Sequence, residues 1–198
     1  MSGASGPIGT ALVSSLKAGG AAVTRLVRKG AAGPDQIAWD PARPLSPDLV
    51  SGFDAVIHLA GESIVGRWTA AKKRRILESR VQGTSHLAEA AARASPPPRV
   101  FISASAVGFY GNRGDEILRE DSGSGEGFAA EICQQWEAAA KPAAKAGIRT
   151  AQTEIGVVAN ADGSAVAEKL TTVLPGLGGR PADGHHRGRG GQGRGVVL

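Results

Sequence analysis

Apolar residues recur at helical spacing in three stretches of the chain. Ile8, Leu12 and Leu16 are four positions apart, which predicts an amphipathic helix. Pro7 suits the first turn of this helix, because a first turn leaves its N–H groups unpaired, and Gly19 suits its end. Two longer stretches show the same spacing, and Pro142 perturbs the second of them near its end. The predicted helices cover residues 8–16, 69–94 and 129–145.

Short apolar runs typical of β-strands lie between these helices. Residues 53–60 are apolar almost throughout, which favours a strand buried on both faces of a parallel sheet. The predicted strands cover residues 22–28, 53–60, 99–105 and 148–158, and the segment 29–47, rich in glycine and proline, predicts a loop. Because strands and helices alternate, the sequence predicts an α/β fold of the Rossmann type. We expect a doubly wound parallel sheet with helices on both faces.

Composition indicates the size class and the cellular compartment of the protein more clearly than its function. The 198 residues are 41% hydrophobic, enough for one domain with a core, and the single cysteine excludes an internal disulfide. A reducing compartment fits this cysteine count, and no apolar run is long enough to cross a bilayer, so we expect a cytoplasmic protein without a membrane partner. We expect no metal site.

The formal net charge of +5 is concentrated near the end of the chain. Four arginines lie after residue 179 against one aspartate, and hydrophobic periodicity stops at about residue 181. We therefore expect a folded domain over residues 1–180 and a disordered tail rich in glycine and arginine over 181–198. Because the rest of the chain is nearly neutral, we do not expect nucleic-acid binding.

A glycine-rich loop opens the chain and leads directly into the first predicted helix. Its pattern is G-x-x-G-x-x-G, which lets backbone N–H groups approach a pyrophosphate at a helix N-terminus. A dinucleotide is therefore the first candidate ligand; the alternative is an ordinary tight turn between a strand and a helix. The predicted phosphate-binding residues are Gly3, Ser5, Gly6, Pro7, Ile8 and Gly9.

The end of the next predicted strand distinguishes between the two nicotinamide dinucleotides. An acidic residue there would bind the ribose 2′-hydroxyl of NAD, but this strand carries Arg25 and Arg28, and the first acid is Asp35. A guanidinium suits a 2′-phosphate, so NADP is favoured over NAD. The alternative is that these arginines are merely solvated.

Small and hydroxyl-bearing residues follow two further predicted strands. In open α/β sheets the carboxyl ends of the strands line the ligand crevice. We expect Leu59, Ala60, Gly61 and Ser103 to flank the cofactor, and Ser105 to face the substrate. His58, within the apolar run, is expected to be a hydrogen-bonded core histidine.

Several motifs in a fixed order resemble the extended short-chain dehydrogenases/reductases, the NAD(P)-dependent epimerase/dehydratase family. Shorter motifs are similar to those of its epimerase-like subgroup. The family motifs are the glycine loop and residues 54–61, 80–84 and 103–111; the subgroup motifs are residues 39–41, 61–64, 67–68, 79–81 and 136–140. This resemblance implies a cofactor contact for Arg80 and catalytic roles for Ser105 and Tyr110, the only tyrosine.

The chain departs from the family pattern in its catalytic pair. The family has Tyr-x-x-x-Lys on a helix, where the lysine lowers the pKa of the tyrosine. The matching helix here carries Cys133 and Glu137 at those two positions. Glu154 stands where a basic residue is usual and Pro7 where an aromatic one is usual. By comparison with the family, we expect the first strand and the C-terminal substrate lobe to be missing.

Three functions remain open on the sequence. The first is an NADP-binding epimerase or oxidoreductase acting on a small molecule, for which a nucleotide sugar is one candidate. The second is a non-catalytic, redox-sensing module that binds NADP, which the absent tyrosine and lysine favour. The third is a fragment without function. Neither the substrate nor the oligomeric state follows from the sequence.

Overall fold

The computed structural model describes residues 1–31 and 33–156. Five strands and four helices lie in this part of the chain, together with two short 3-10 turns at Pro47–Leu49 and Val107–Tyr110. The strands are β1 (Arg25–Val27), β2 (Gln36–Ala38), β3 (Ala55–His58), β4 (Val100–Ala106) and β5 (Arg149–Ile155). The helices are α1 (Pro7–Ala18), α2 (Ala70–Arg93), α3 (Phe128–Ala138) and α4 (Lys141–Lys145). The tail predicted at 181–198 lies outside the described residues.

All strand pairs are parallel. β1 pairs with β2, β3 with β4, and β4 with β5. Ser2 joins the two groups, because it forms parallel bridges to both Leu26 and His58. The Ser2 N–H donates to the Ile57 carbonyl at 2.9 Å, and the Leu26 N–H donates to the Met1 carbonyl at 2.7 Å. The strand order is that of a doubly wound Rossmann-type sheet, as predicted, with Ser2 at its centre.

Two predictions of secondary structure were wrong. The segment predicted as a loop contains β2, whose three residues are too few to show the alternation that identifies a strand. The third predicted helix is two helices, α3 and α4. Pro142 has no N–H to donate to the preceding turn, so α3 ends at Ala138 and Pro142 takes a place in the first turn of α4.

The long helix α2 forms much of the core. Thr69 caps its start by accepting a hydrogen bond from the Lys72 N–H at 3.2 Å. Its buried face packs against the sheet and against α3 and α4. The fully buried core residues include Leu87, Ala88, Ala90, Ala91 and Phe101. Because α2 joins the end of β3 to the start of β4, Thr69 lies at the carboxyl edge of the sheet and Arg93 at the opposite edge. None of the helices in the described residues is both long and apolar enough to cross a membrane.

Candidate functional site

The carboxyl ends of the strands bring several predicted site residues to one edge of the sheet. Ser2, His58 and Ser103 stand side by side in neighbouring strands. The glycine loop at 3–9, the segment 59–61 and Ser105 therefore follow one another along that edge. This is the edge at which open α/β sheets bind their ligands.

Packing within the protein accounts for two of the three loop glycines. Gly3 has a φ of 71°, and a Cβ there would lie 2.6 Å from the Leu59 carbonyl carbon. A Cβ on Gly9 would overlap the Gly3 carbonyl oxygen and would lie 2.8 Å from the Ala4 Cα. These two glycines let the loop close against β3 and against the first turn of α1. They are required by the fold.

Gly6 is different, because no residue in the described part of the chain crowds it. Its φ is −76°, which any residue adopts, and a Cβ there would meet only the Gly3 carbonyl oxygen at an ordinary 3.5 Å. Gly6 precedes the first turn of α1, which contains Pro7, half-buried Ile8 and no acidic side chain. The open space in front of Gly6 and the positive end of α1 fit the phosphates of a dinucleotide. Ser5 is exposed beside this space.

The two arginines predicted to bind the 2′-phosphate lie at opposite edges of the sheet. Arg28 is exposed just beyond β1, on the edge that carries the glycine loop. Arg25 donates to both carboxylate oxygens of Asp35 at 3.0 Å, and Asp35 also pairs with Lys17 in the last turn of α1. The guanidinium of Arg25 therefore lies at the opposite edge of the sheet, away from the glycine loop.

Arg80 lies beneath the loop that follows β3. Its guanidinium donates to the Glu62 carbonyl at 3.0 Å and the Ile76 carbonyl at 3.2 Å, and it packs over the Trp136 ring. A Cβ on Gly61 would lie 3.2 Å from the Arg80 Cζ, so Gly61 gives the guanidinium its place. The contact of Arg80 with a cofactor stays a prediction. Its observed partners hold the loop and α2 together.

His58 is fully buried and ties the centre of the sheet together. Its Nδ1 shares a 2.5 Å hydrogen bond with the Ser2 hydroxyl. Burial lowers the pKa of the imidazole to about 4, so the ring is neutral at physiological pH. These are the properties of the hydrogen-bonded core histidine that the sequence predicts.

Ser105 contacts Glu137, one of the two residues that the family resemblance aligns with the catalytic pair. Its hydroxyl donates to the Glu137 carboxylate at 2.5 Å. The Cys133 thiol, one helical turn before Glu137, donates to the Ala106 carbonyl at 3.6 Å, and burial raises the pKa of this thiol. A thiol in that state is a poor nucleophile, so the carboxylate of Glu137 is the group able to exchange a proton through Ser105.

Ser103 and Tyr110 have partners within the protein. The buried Ser103 hydroxyl donates to the Ala104 carbonyl at 3.2 Å. Tyr110 is 5% exposed, and its hydroxyl donates to the Glu154 carboxylate at 2.6 Å. This hydrogen bond is the main reason that the pKa of Tyr110 is raised to about 12. A catalytic role for Tyr110 stays a prediction, as it does for Ser105.

Sequence reasoning missed a cluster of charges beside the site. The Lys72 side chain is only 14% exposed, and its ammonium lies 2.8 Å from the Glu62 carboxylate. Arg75 lies 3.7 Å from the same carboxylate. Glu62 precedes Lys72 by ten positions and a loop, so no helical spacing signals the pair. Over the described ranges no group of three or more potential metal-ligating side chains occurs.

The parallel strand order, the glycine loop and the open helix N-terminus define a Rossmann-type nucleotide-binding protein. The family model for the NAD dependent epimerase/dehydratase family matches residues 1–131. The chain belongs to this family, and the resemblance drawn from its motifs is confirmed.

Similarity to individual proteins supports the same family assignment. The chain is 36% identical over 186 residues to an epimerase family protein of Mycobacterium bovis, covering 93% of this chain and 61% of that protein. It is 38% identical over 189 residues to epimerase family protein SDR39U1 of Bos taurus, covering 92% and 62%. The chain thus spans about three fifths of the length of these relatives.

Two solved structures share the fold closely. One is the nucleoside-diphosphate sugar epimerase from Corynebacterium glutamicum, with a TM-score of 0.74 and 43% identity over 92% of this chain and 38% of that one. The other is human epimerase family protein SDR39U1 (isoform 2) with NADPH, with a TM-score of 0.72 and 34% identity over 85% and 57% of the two chains.

Proposed function

We propose that this chain forms the NADP-binding part of an epimerase or oxidoreductase of the extended short-chain dehydrogenase/reductase type. The observation that carries the proposal is the contrast between Gly6 and its neighbours Gly3 and Gly9. Of the three, Gly6 is the one that no contact among the described residues requires to be glycine, and it directly precedes the N-terminus of α1. A pyrophosphate in that space would receive backbone N–H groups and the favourable helix dipole.

Arg28 supports NADP as the preferred dinucleotide. It is exposed at the end of β1, where a 2′-phosphate would lie, and an arginine there favours the phosphorylated ribose. The human relative solved with NADPH supports the same choice. The cofactor would be flanked by Leu59, Ala60, Gly61 and Ser103. Arg80 would hold the loop after β3 in place through its hydrogen bond to the Glu62 carbonyl. We propose that residues 1–180 form this domain, in the cytoplasm.

The chemistry of such a site is hydride transfer, which the nicotinamide supplies when bound. This chain contributes the proton-transfer side. Ser105 would donate to or accept from a substrate oxygen, and Glu137 would hold the proton exchanged through it. The substrate would be a small molecule; a nucleotide sugar is one candidate, because a similar structure is a nucleoside-diphosphate sugar epimerase.

A second candidate function is NADP binding without catalysis. The observation that favours it is the replacement of the family's tyrosine and lysine by a buried Cys133 thiol and by Glu137. Both functions require the same cofactor site. They differ in whether added candidate nucleotide sugars are converted to products, with a net change in the oxidation state of the nicotinamide for an oxidoreductase and without one for an epimerase.

Calorimetric titration with NADPH tests the proposal, using Arg28→Gln and the control Arg93→Gln. Arg93 is 61% exposed at the far end of α2 and pairs only loosely with Glu89. We expect Arg28→Gln to weaken NADPH binding about tenfold, because the 2′-phosphate loses a cation, and Arg93→Gln to leave it within about twofold. Absence of NADPH and NADH binding in a folded wild-type chain would overturn the proposal.

A further inference from the structure

The charges around Glu62 point to a determinant of cofactor choice that the sequence did not indicate. Glu62 follows β3, and its carboxylate lies 2.8 Å from the Lys72 ammonium and 3.7 Å from the Arg75 guanidinium. The two cations stand three positions apart in α2, so they share one face of the helix. Lys73, between them in sequence, instead lies 4.7 Å over the Phe128 ring.

Arg28 belongs to the same cluster. Leu26 and His58 both bridge to Ser2, so the ends of β1 and β3 reach the same edge on either side of the glycine loop. The pKa of Glu62 is held below its ordinary value, first by the hydrogen bond from Lys72 and also by the charges of Lys72, Arg75 and Arg28. Two cations thus contact the carboxylate, and the charge of a third, Arg28, acts on it from the neighbouring strand end.

This cluster has an excess of positive charge, and it lies at the N-terminus of α2, where the helix dipole favours anions. Lys72 lies in the first turn of α2, which contains no acidic residue, and the helix dipole there is unfavourable for cations. Glu62 neutralises only one of the three positive charges. A phosphate monoester carries about two negative charges near neutral pH. It would therefore balance the two positive charges that Glu62 leaves uncompensated.

We propose that Arg28, Lys72 and Arg75 together bind the 2′-phosphate of NADP, and that Glu62 is an internal counter-anion that competes with this phosphate. The inference rests on the proposed function, since it concerns the same cofactor. Removing the Glu62 charge strengthens binding of the phosphorylated ribose, whereas removing a cation weakens it. An unphosphorylated ribose is indifferent to both changes.

The variant Glu62→Gln suits the test because the loop is anchored independently of the carboxylate. The Glu62 N–H donates to the Ser79 hydroxyl at 3.0 Å, and its carbonyl accepts from Arg80 at 3.0 Å. Arg75→Gln is a second variant with little risk to folding, because the Arg75 side chain is 58% exposed. Glu89→Gln is the matched control, since Glu89 pairs with Arg93 on the same helix at the opposite edge.

The experiment measures dissociation constants for adenosine 2′,5′-bisphosphate and adenosine 5′-monophosphate, which differ only in the 2′-phosphate. We expect Glu62→Gln to increase the preference for the bisphosphate about three- to tenfold, and Arg75→Gln to decrease it by a similar factor. Glu89→Gln should leave the preference within about twofold.

Three results would overturn the inference. They are an unchanged preference in both site variants, an equal change in the control, and equal binding of the two nucleotides by the wild-type chain. In each case, continued binding of NADPH would leave the proposed function standing. A folded wild-type chain that binds neither dinucleotide would overturn both.

Discussion

The Ser105 hydroxyl donates a hydrogen bond to the Glu137 carboxylate across 2.5 Å. This contact joins the end of β4 to the last turn of α3, the helix that the family resemblance aligns with the tyrosine and lysine. Ser105 is 1% exposed, whereas Glu137 is partly exposed, so the carboxylate connects a buried hydroxyl with the open edge of the sheet. A serine and a carboxylate in this arrangement can pass a proton to and from a bound substrate.

The strength of this contact can be measured without a substrate. We expect Ser105→Ala and Glu137→Gln each to lower the free energy of unfolding by about 1–3 kcal/mol, because a charge-assisted hydrogen bond is lost from a mostly buried site. A double-mutant cycle by urea denaturation should give a coupling energy of about 1 kcal/mol or more. Additive effects would contradict the contact. Neither variant should change NADPH affinity by more than about twofold, since we propose that the pair serves the substrate and not the cofactor.

Tyr110 provides a spectroscopic test, because it is the only tyrosine in the chain. Its pKa is raised to about 12, chiefly by the hydrogen bond to Glu154. Phenolate absorbance in the folded protein should therefore have a midpoint near 12, and Glu154→Gln should move it toward about 10. Because the unfolded state ionises first, stability should fall as the pH rises from about 10 to 12. A midpoint near 10 in the folded wild-type protein would exclude the hydrogen bond.

His58 makes the fold sensitive to mild acid. Burial lowers its pKa from 6.5 to about 4, so the unfolded state binds a proton first as the pH falls. The stability from the neutral imidazole is complete above about pH 6.5, and about 3 kcal/mol of it is lost by pH 4. Urea denaturation across this range should show the loss in wild type and in the control His86→Gln. His58→Gln should flatten the dependence; an unchanged slope in that variant would refute the assignment.

The glycine loop predicts opposite outcomes for two neighbouring substitutions. Gly9→Ala should destabilise the fold by about 3 kcal/mol, because the new Cβ overlaps the Gly3 carbonyl. Gly6→Ala should change stability by about 1 kcal/mol or less, yet weaken NADPH binding at least about tenfold. Gly19→Ala at the other end of α1 is the matched control, since its Cβ would also meet its nearest carbonyl at 3.5 Å. Thermal melts and calorimetry measure both quantities, and intact NADPH binding by Gly6→Ala would contradict the site.

Much of the fold could be predicted from local patterns. The spacing of Ile8, Leu12 and Leu16 gives α1 close to its observed bounds, and the prolines after residue 95 place the end of α2. The apolar run at 53–60 contains β3, although its regular hydrogen bonding covers only four residues. These elements are specified by side chains close together in the sequence, which periodicity and turn residues report directly.

The errors concern contacts between distant segments. Arg25 and Asp35 pair because β1 and β2 are parallel neighbours, and β2 was too short to predict. Lys72 and Glu62 pair because the loop after β3 folds back on the first turn of α2. Such pairings depend on the three-dimensional path of the chain. Of the predicted cofactor contacts, the glycine loop, Arg28 and residues 59–61 reach one edge of the sheet, and Arg25 does not.

The most direct test of the central claim is the ratio of dissociation constants for NADH and NADPH. Both can be followed through the fluorescence of the reduced nicotinamide as it binds the wild-type chain. The open glycine loop and the Arg28 cluster predict binding of both, with NADPH preferred at least about tenfold. Equal affinities, or a preference for NADH, would contradict the assignment of Arg28 to the 2′-phosphate. No binding of either dinucleotide by the folded chain would contradict the site as a whole.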